Sequence, residues 1–142
     1  MAGPELAVVD ASVATKWFLP EPGSDASRAL RKAHEDARLV LAAPSILPFE
    51  VANALRFHPS LGADPVGQAV SHLLGVQVRL DPPTPESIAQ AVAVAFRTGV
   101  TVYDAAYLAL AERLDCALYT ADERQLSALP SRARHVREFH GD

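Results

Sequence analysis

The sequence predicts an α/β fold in which a central parallel sheet of about four to five strands lies between helices. Short apolar runs that suit buried strands alternate along the chain with longer segments whose apolar residues recur every three or four positions. Prolines and glycines stand between many of these segments, where elements are expected to end. Strands that alternate with helices in this way are typical of a parallel sheet with helical crossovers.

Length and composition favour one soluble, cytoplasmic domain over residues 1–142. A chain of this length buries enough surface to fold without disulfides, and its single Cys116 lies in an apolar run, as expected in a reducing compartment. We find no secretory leader and no apolar run of membrane length. The net charge of −4 argues against a purely electrostatic binder of nucleic acid.

The elements follow in order from the apolar pattern. The predicted strands are 6–9, 39–43, 77–80, 116–120 and a last edge strand at 134–136. The predicted helices are 11–19, 24–36, 46–57, 65–75, 85–98, about 103–114, and 123–129. On these helices we expect Phe49, and the stripe formed by Ile88, Ala91, Val92, Ala95 and Phe96, to face the core.

Asp104 and Asp122 are predicted to lie at the same edge of the sheet. Asp104 begins a helix of about 12 residues, which carries the chain roughly 17 Å. The following strand of about five residues brings it back ~16 Å, and Asp122 comes next. This is the carboxyl edge, where open α/β folds bind ligands. The alternative is that Asp104 only favours a helix start and that Asp122 only caps the next helix.

Two further acids are predicted at the same edge. Asp10 follows the first strand, and Glu50 begins the helix after the second. Four converging carboxylates repel one another unless a cation lies between them, and oxygen ligands suit Mg²⁺. Such a site can activate a water for attack on a phosphodiester.

Three polar residues stand close to these acids in the sequence. Ser12 follows Asp10 by two positions, Thr120 precedes Asp122 by two, and Asn53 shares a helix face with Glu50. Ser12 and Thr120 can orient a carboxylate or a metal-bound water, or serve as ordinary caps.

Other catalytic motifs are absent from the sequence. It has no Cys–His set with zinc spacing, no phosphate-binding GxxxxGK[ST] or GxGxxG loop, and no GxSxG turn. An aspartate-based phosphatase or receiver remains an alternative, although VVDAS lacks a second acid close to Asp10.

The motifs VVDASVATKWFLPE, PFEVANAL, TVYDAAYLALAERL and LYTADERQL resemble, in this order, the four motifs of the PIN domain. The resemblance is closest to the VapC toxins of VapBC toxin–antitoxin pairs. It implies an α/β/α sandwich and an endoribonuclease that depends on Mg²⁺ or Mn²⁺ and cleaves RNA with a metal-activated water. It further implies a homodimer and a cognate VapB-type antitoxin whose tail occupies the active-site groove.

The resemblance also implies roles for individual residues. Its catalytic, metal-binding quartet corresponds to Asp10, Glu50, Asp104 and Asp122, and its supporting polar residues correspond to Ser12, Asn53 and Thr120.

The sequence departs from the family pattern in its basic residues. The segment HPSLGADP lacks the basic run of many relatives, and Lys16 is the lysine nearest to the predicted site along the chain. These departures concern RNA affinity and the substrate class. A second hypothesis is a non-catalytic PIN module that binds RNA or protein, which predicts the loss of at least one of the four acids, whereas all four are present. We expect Tyr103 and Tyr107 to pack rather than to stack on bases, and Arg124 to be solvated.

Overall fold

The structure, a computed structural model, describes residues 3–141 and contains one five-stranded parallel sheet flanked by helices, as predicted. The strands are β1 (Glu5–Val9), β2 (Leu39–Pro44), β3 (Arg79–Asp81), β4 (Ala117–Thr120) and β5 (Ala133–His135). They lie in the order β3-β2-β1-β4-β5, and every neighbouring pair is parallel. The two short strands β3 and β5 therefore form the edges, as the sequence predicts for β5.

Seven α-helices connect and cover the strands in the described part of the chain. They are α1 (Ala11–Ala14), α2 (Ser24–Glu35), α3 (Leu47–Arg56), α4 (Ala63–Val76), α5 (Pro85–Thr98), α6 (Val102–Leu114) and α7 (Glu123–Ala128). The helix predicted over 11–19 is shorter than expected, since α1 gives way to a 3₁₀ turn at Thr15–Trp17. None of the helices within residues 3–141 is both long and apolar enough to cross a bilayer.

The strand order creates a switch point beside β1. The chain moves from β1 to β2 and β3 on one side of the sheet, and later returns to place β4 and β5 on the other side. Helices that leave neighbouring strands in opposite directions open a crevice at the carboxyl edge, where α/β proteins bind ligands. The register pairs Val9 with Tyr119, so the next residues, Asp10 and Thr120, are neighbours in this crevice.

Helix α6 forms the centre of the core. It contacts β1, β2, β4 and α5. Its buried residues are Ala105, Tyr107, Leu108, Ala109, Leu110 and Ala111. Apolar residues on nearly all sides are expected of a helix that is covered from several directions. This burial fixes the first turn of α6, and with it Asp104, relative to the sheet.

The prediction that Phe49, Ile88, Val92 and Phe96 face the core is wrong. Phe49 is 78% exposed and Phe96 is 88% exposed. Helix α5 instead packs against α6 through a narrow strip of Ala91, Val94 and Ala95, and small residues of this kind let two helices approach closely while larger side chains point outward. The periodicity identified the helix but not which of its apolar residues are covered.

Candidate active site

Four carboxylates meet at the carboxyl edge of β1 and β4, each carried there by the end of an element. Asp10 is the N-cap of α1, Glu50 and Asp104 lie in the first turns of α3 and α6, and Asp122 is the N-cap of α7. Burial is the main cause of the raised pKa of Asp10, Asp104 and Glu50, and the charge of another carboxylate adds to it, that of Asp122 for Asp10 and Asp104 and that of Asp104 for Glu50. Each of the four groups is therefore within electrostatic range of at least one other.

Asp10 is the buried member of the cluster, with only 5% of its surface exposed. Its Oδ1 accepts hydrogen bonds from the Ser12 hydroxyl at 2.5 Å and from the Val13 amide at 3.3 Å, and its Oδ2 accepts one from the Thr120 hydroxyl. Burial raises the pKa of Asp10 to about 6, although these three hydrogen bonds lower it. The carboxylate is thus held in one orientation and is costly to ionise without a cation.

The hydroxyls of Ser12 and Thr120 join the ends of β1 and β4. Ser12 Oγ accepts a hydrogen bond from the Ala121 amide at 2.8 Å, and Thr120 Oγ1 accepts one from the Asp122 amide at 3.0 Å. Ser12 is not the cap of α1, because Asp10 fills that position. Both hydroxyls instead orient the Asp10 carboxylate, and Thr120 links Asp10 to the backbone of Asp122.

Glu50 is half-buried and is oriented by a tyrosine. The Tyr107 hydroxyl donates to Glu50 Oε1 at 2.5 Å. Burial raises the pKa of Glu50, and the hydrogen bond from Tyr107 lowers it. Burial, this hydrogen bond and the surrounding carboxylates all raise the pKa of Tyr107, which therefore remains a donor at neutral pH.

Asp104 and Asp122 are more exposed and share one arginine. Arg124 donates to Asp122 Oδ1 from its backbone amide at 2.9 Å, and its Nη2 lies 3.1 Å from Asp122 Oδ2 and 3.8 Å from Asp104 Oδ2. Burial raises the pKa of Asp122, but the hydrogen bonds and the charge of Arg124 outweigh it and lower the pKa overall. Burial raises the pKa of Asp104 more than Arg124 lowers it.

Asp104 and Asp122 do have the helix-start and capping roles that the sequence offered as an alternative. Asp122 caps α7 by accepting from the Arg124 amide, and Asp104 lies in the first turn of α6, which Thr101 caps through its hydroxyl. The caps do not compete with a site, because they fix the two carboxylates at the same edge.

Two residues that the sequence places near the site, Asn53 and Lys16, make no hydrogen bond to the four carboxylates in the described part of the chain. Asn53 is exposed on α3 and lines a groove of about 990 Å³ between α3 and α4, and no hydrogen bond to the four carboxylates within residues 3–141 comes from it. Lys16 is nearly buried and paired with Glu21 at 2.9 Å. Lys16 is therefore committed to a structural ion pair.

Three residues that contact the acids or their backbone were not predicted as site residues from the sequence. Tyr107 follows Asp104 by three positions, so helical geometry already placed it on the same face. Arg124 follows Asp122 by two and was expected to be merely solvated. Gln125 is buried and donates from Nε2 to the Asp104 carbonyl at 3.1 Å, which ties α7 to the start of α6. Its polarity gave no signal, since glutamine usually lies on the surface.

The donor set has the chemistry of a divalent-cation site. It consists of carboxylate oxygens only, and burial together with mutual repulsion raises the pKa of Asp10, Glu50 and Asp104. In the part of the chain that the structure describes, no three Asp, Glu, His or Cys side chains are grouped as a complete set of metal ligands. The Arg124 guanidinium bridges two of the carboxylates instead. The residues fit a cation, but their side chains must draw together around it.

Comparison with known families agrees with this geometry. The model of the PIN domain matches residues 7–130. The chain belongs to the PIN domain family. A curated PIN relative, Ribonuclease VapC3 of Pyrobaculum aerophilum, is 37% identical over 129 residues, which cover 87% of this chain and 95% of that protein.

Solved structures share the fold of this PIN domain at low sequence identity. The Mycobacterium tuberculosis VapC20, described as a sarcin-ricin loop cleaving toxin, superposes with a TM-score of 0.68 at 16% identity, over 86% of this chain and 94% of that one. A toxin–antitoxin complex from Klebsiella pneumoniae gives a TM-score of 0.67 at 16% identity, over 94% of this chain and 99% of that one. The α/β architecture is therefore that of the VapC structures.

Proposed function

We propose that this PIN domain is a divalent-metal-dependent endoribonuclease that acts as the toxin of a type II toxin–antitoxin pair. The observation that carries the proposal is the convergence of Asp10, Glu50, Asp104 and Asp122 at the switch point beside β1. The 37% identity with Ribonuclease VapC3 supports RNA as the substrate. A non-catalytic PIN module is not favoured, because all four acids are present at the ends of the elements that meet at this edge.

The side chains divide the work as follows. Asp10, Asp104 and Asp122 would hold the cation, Mg²⁺ or Mn²⁺, and Glu50 would complete the site directly or through a water. Such a cation, when bound, activates a water and offsets the charge that develops on the phosphodiester. Ser12 and Thr120 keep both Asp10 oxygens in place, and Tyr107 does the same for Glu50. Asn53 is exposed beside Glu50 on α3 and is available to contact RNA.

The cleavage reaction is tested by comparing two aspartates that lie in the first turns of different helices. Asp104 and Asp64 both lie in first turns, of α6 and α4, but Asp64 is exposed and lines the surface of α4. We expect Asp104→Asn to reduce cleavage of a pool of labelled RNA oligonucleotides in Mg²⁺ by at least about 100-fold. Asp64→Asn should cleave at the wild-type rate. Chelation with EDTA should abolish cleavage by the wild type and by Asp64→Asn.

Circular dichroism and thermal unfolding will establish that Asp104→Asn is folded. Cleavage by folded Asp104→Asn at the wild-type rate would show that the acid cluster is not the catalytic site.

The groove between α3 and α4 is the surface we assign to the antitoxin. It adjoins Glu50 and is lined largely by apolar side chains, among them Phe49, Leu61, Val66 and Leu74. Phe49 is 78% exposed, so a partner segment that covers it removes a large apolar area from water. We expect Phe49→Ser to weaken binding of the co-expressed antitoxin without loss of RNA cleavage by the free protein.

A second apolar surface, on α5 and α6, is the one we assign to a homodimer. Ile88, Val92, Phe96, Val102 and Tyr103 are all exposed there, and three of them line one depression. Unpaired apolar patches of this kind mark protein contacts. Light scattering should give a dimer for the wild type and a monomer for Phe96→Glu. We place the protein in the cytoplasm, where its proposed RNA substrate is found.

A further inference from the structure

The positively charged guanidinium of Arg124 already lies beside two of the four carboxylates. Arg124 contacts Asp122 three times, through its backbone amide, its Nε and its Nη2. The same Nη2 lies 3.8 Å from Asp104 Oδ2. Within residues 3–141 it is the only Lys, Arg or His side chain within ion-pair distance of the four acids.

The position of Arg124 is incompatible with a metal ion on the same oxygens. A Mg²⁺ ion requires its oxygen ligands at about 2.0–2.1 Å, which brings them close to one another. The guanidinium instead holds Asp104 Oδ2 and Asp122 Oδ2 at 3.8 and 3.1 Å from one nitrogen. The two carboxylates can therefore face one of these cations at a time.

The Arg124 side chain can also move away from the two carboxylates. Its side chain is 71% exposed, whereas the side chains of Asp104 and Asp122 are 20% and 25% exposed. Ion pairs of exposed side chains are weak, so a divalent ion can break them at little cost. Asp122 caps α7 by accepting from the backbone amide of Arg124, and this bond does not involve the guanidinium, so the side chain can move away without unwinding α7.

We propose that Arg124 is an exchangeable counter-cation: its guanidinium neutralises Asp104 and Asp122 in the metal-free protein and is displaced when the divalent cation binds. The residue thereby lowers the metal affinity of the site and stabilises the metal-free state. This inference rests on the proposed function only in that the acid cluster binds a metal.

The test is Mn²⁺ binding by isothermal titration calorimetry, without RNA, at constant ionic strength. We expect Arg124→Gln to bind Mn²⁺ about 3- to 10-fold more tightly than the wild type, since it removes a competitor worth no more than a weak ion pair or two. Arg124→Lys, which keeps the charge but not the fork, should fall between the two. Equal or weaker binding by Arg124→Gln would overturn the proposal.

The matched control separates this exchange from a change in net charge. Arg97→Gln removes the same charge from an exposed pair with Glu112, near the opposite end of α6. It should bind Mn²⁺ within about 2-fold of the wild type, because exposed charges farther apart than the Debye length are largely screened. A gain in affinity equal to that of Arg124→Gln would assign the effect to net charge and overturn the proposal.

Thermal unfolding gives a second measurement that does not depend on activity. The metal-free melting temperature of Arg124→Gln should be below that of the wild type, and saturating Mn²⁺ should raise it more. A Mn²⁺-induced rise no larger than that of the wild type would contradict the exchange.

RNA cleavage by the wild type, measured separately, distinguishes the two claims. If the wild type cleaves RNA and Arg124→Gln binds Mn²⁺ no more tightly, the exchange is wrong and the proposed function stands. If Mn²⁺ binds with the expected order of affinities and no RNA is cleaved, the exchange stands and the ribonuclease assignment is wrong.

Discussion

The two halves of the acid cluster are held by different means. At the ends of β1 and β4, Asp10 is 5% exposed and is held by the short hydroxyl side chains of Ser12 and Thr120. At the starts of α6 and α7, Asp104 and Asp122 are partly exposed and share the long, solvated side chain of Arg124. Asp10 is thus fixed by buried hydrogen bonds at the sheet, whereas Asp104 and Asp122 can rearrange because the Arg124 side chain that they share is 71% exposed.

This difference separates two tasks that a metal site must perform. A ligand that is already in place costs little entropy when the cation arrives, but a buried carboxylate is costly to ionise beforehand. Exposed carboxylates ionise readily, but they repel one another and need a temporary partner. We therefore expect changes in the sheet half to affect stability strongly, and changes in the helix half to affect it weakly.

The largest expected effect concerns the pH dependence of the metal-free protein. A raised pKa favours folding while Asp10 is protonated, so this contribution is fully present below pH 3.8 and is lost as the pH rises toward about 6. A rise from 3.8 to about 6 corresponds to at most about 3 kcal/mol.

In EDTA, the wild type should therefore lose up to about 3 kcal/mol relative to Asp10→Asn between pH 4 and pH 7. Urea unfolding of both proteins across this range measures the difference. If the two proteins lost stability equally across this pH range, burial would not raise the pKa of Asp10.

The next largest effect on stability is expected from removal of the Thr120 hydroxyl, which joins the ends of β1 and β4. Thr120→Val keeps the shape of the side chain but removes both the donor to the buried Asp10 Oδ2 and the acceptor of the Asp122 amide. Loss of the hydrogen bond to the buried charged group alone costs about 1.5–3 kcal/mol. We expect the free energy of unfolding at pH 7, measured by urea, to fall by at least this amount, whereas Thr120→Ser should keep most of the wild-type stability.

Loss of a hydrogen bond to the half-buried Glu50 should destabilise the protein less than loss of one to the buried Asp10. Tyr107→Phe removes the donor to Glu50 Oε1, but water can reach the carboxylate in its place. We expect a loss of about 0.5–1.5 kcal/mol, smaller than that of Thr120→Val. A larger loss for Tyr107→Phe than for Thr120→Val would contradict this ranking of Glu50 and Asp10.

The sequence predicted the fold and the positions of the acids for the same reason. Strand and helix lengths determine where the chain returns to the carboxyl edge, so Asp104 and Asp122 could be placed from distances along the backbone alone. The sheet order was not available from the sequence, because it depends on which strands pair across long crossovers. Nor could periodicity decide that Phe49 and Phe96 are exposed, since it identifies a helix face but not what covers that face.

The partners of the acids were the least predictable part of the site. Ser12 and Thr120 were singled out because they lie within two residues of an acid on the strands. Arg124 has the same spacing from Asp122, but a long flexible side chain does not reveal its target by its position in the sequence. Gln125 was missed because the contact that accounts for it, with the Asp104 carbonyl, lies between two helices.

Gln125 offers the smallest expected effect and the closest control for Thr120. Both side chains are fully buried and hydrogen-bonded at the site, but Thr120 donates to a carboxylate and Gln125 donates to a backbone carbonyl. The Gln125 Oε1 atom has no protein partner within residues 3–141, so Gln125→Met loses one neutral hydrogen bond and also removes a buried, unpaired oxygen. These two contributions oppose each other, and we expect a change within about 0.5 kcal/mol of zero. A loss as large as that of Thr120→Val would mean that the tie between α7 and α6, and not the charge on Asp10, dominates the stability of the site.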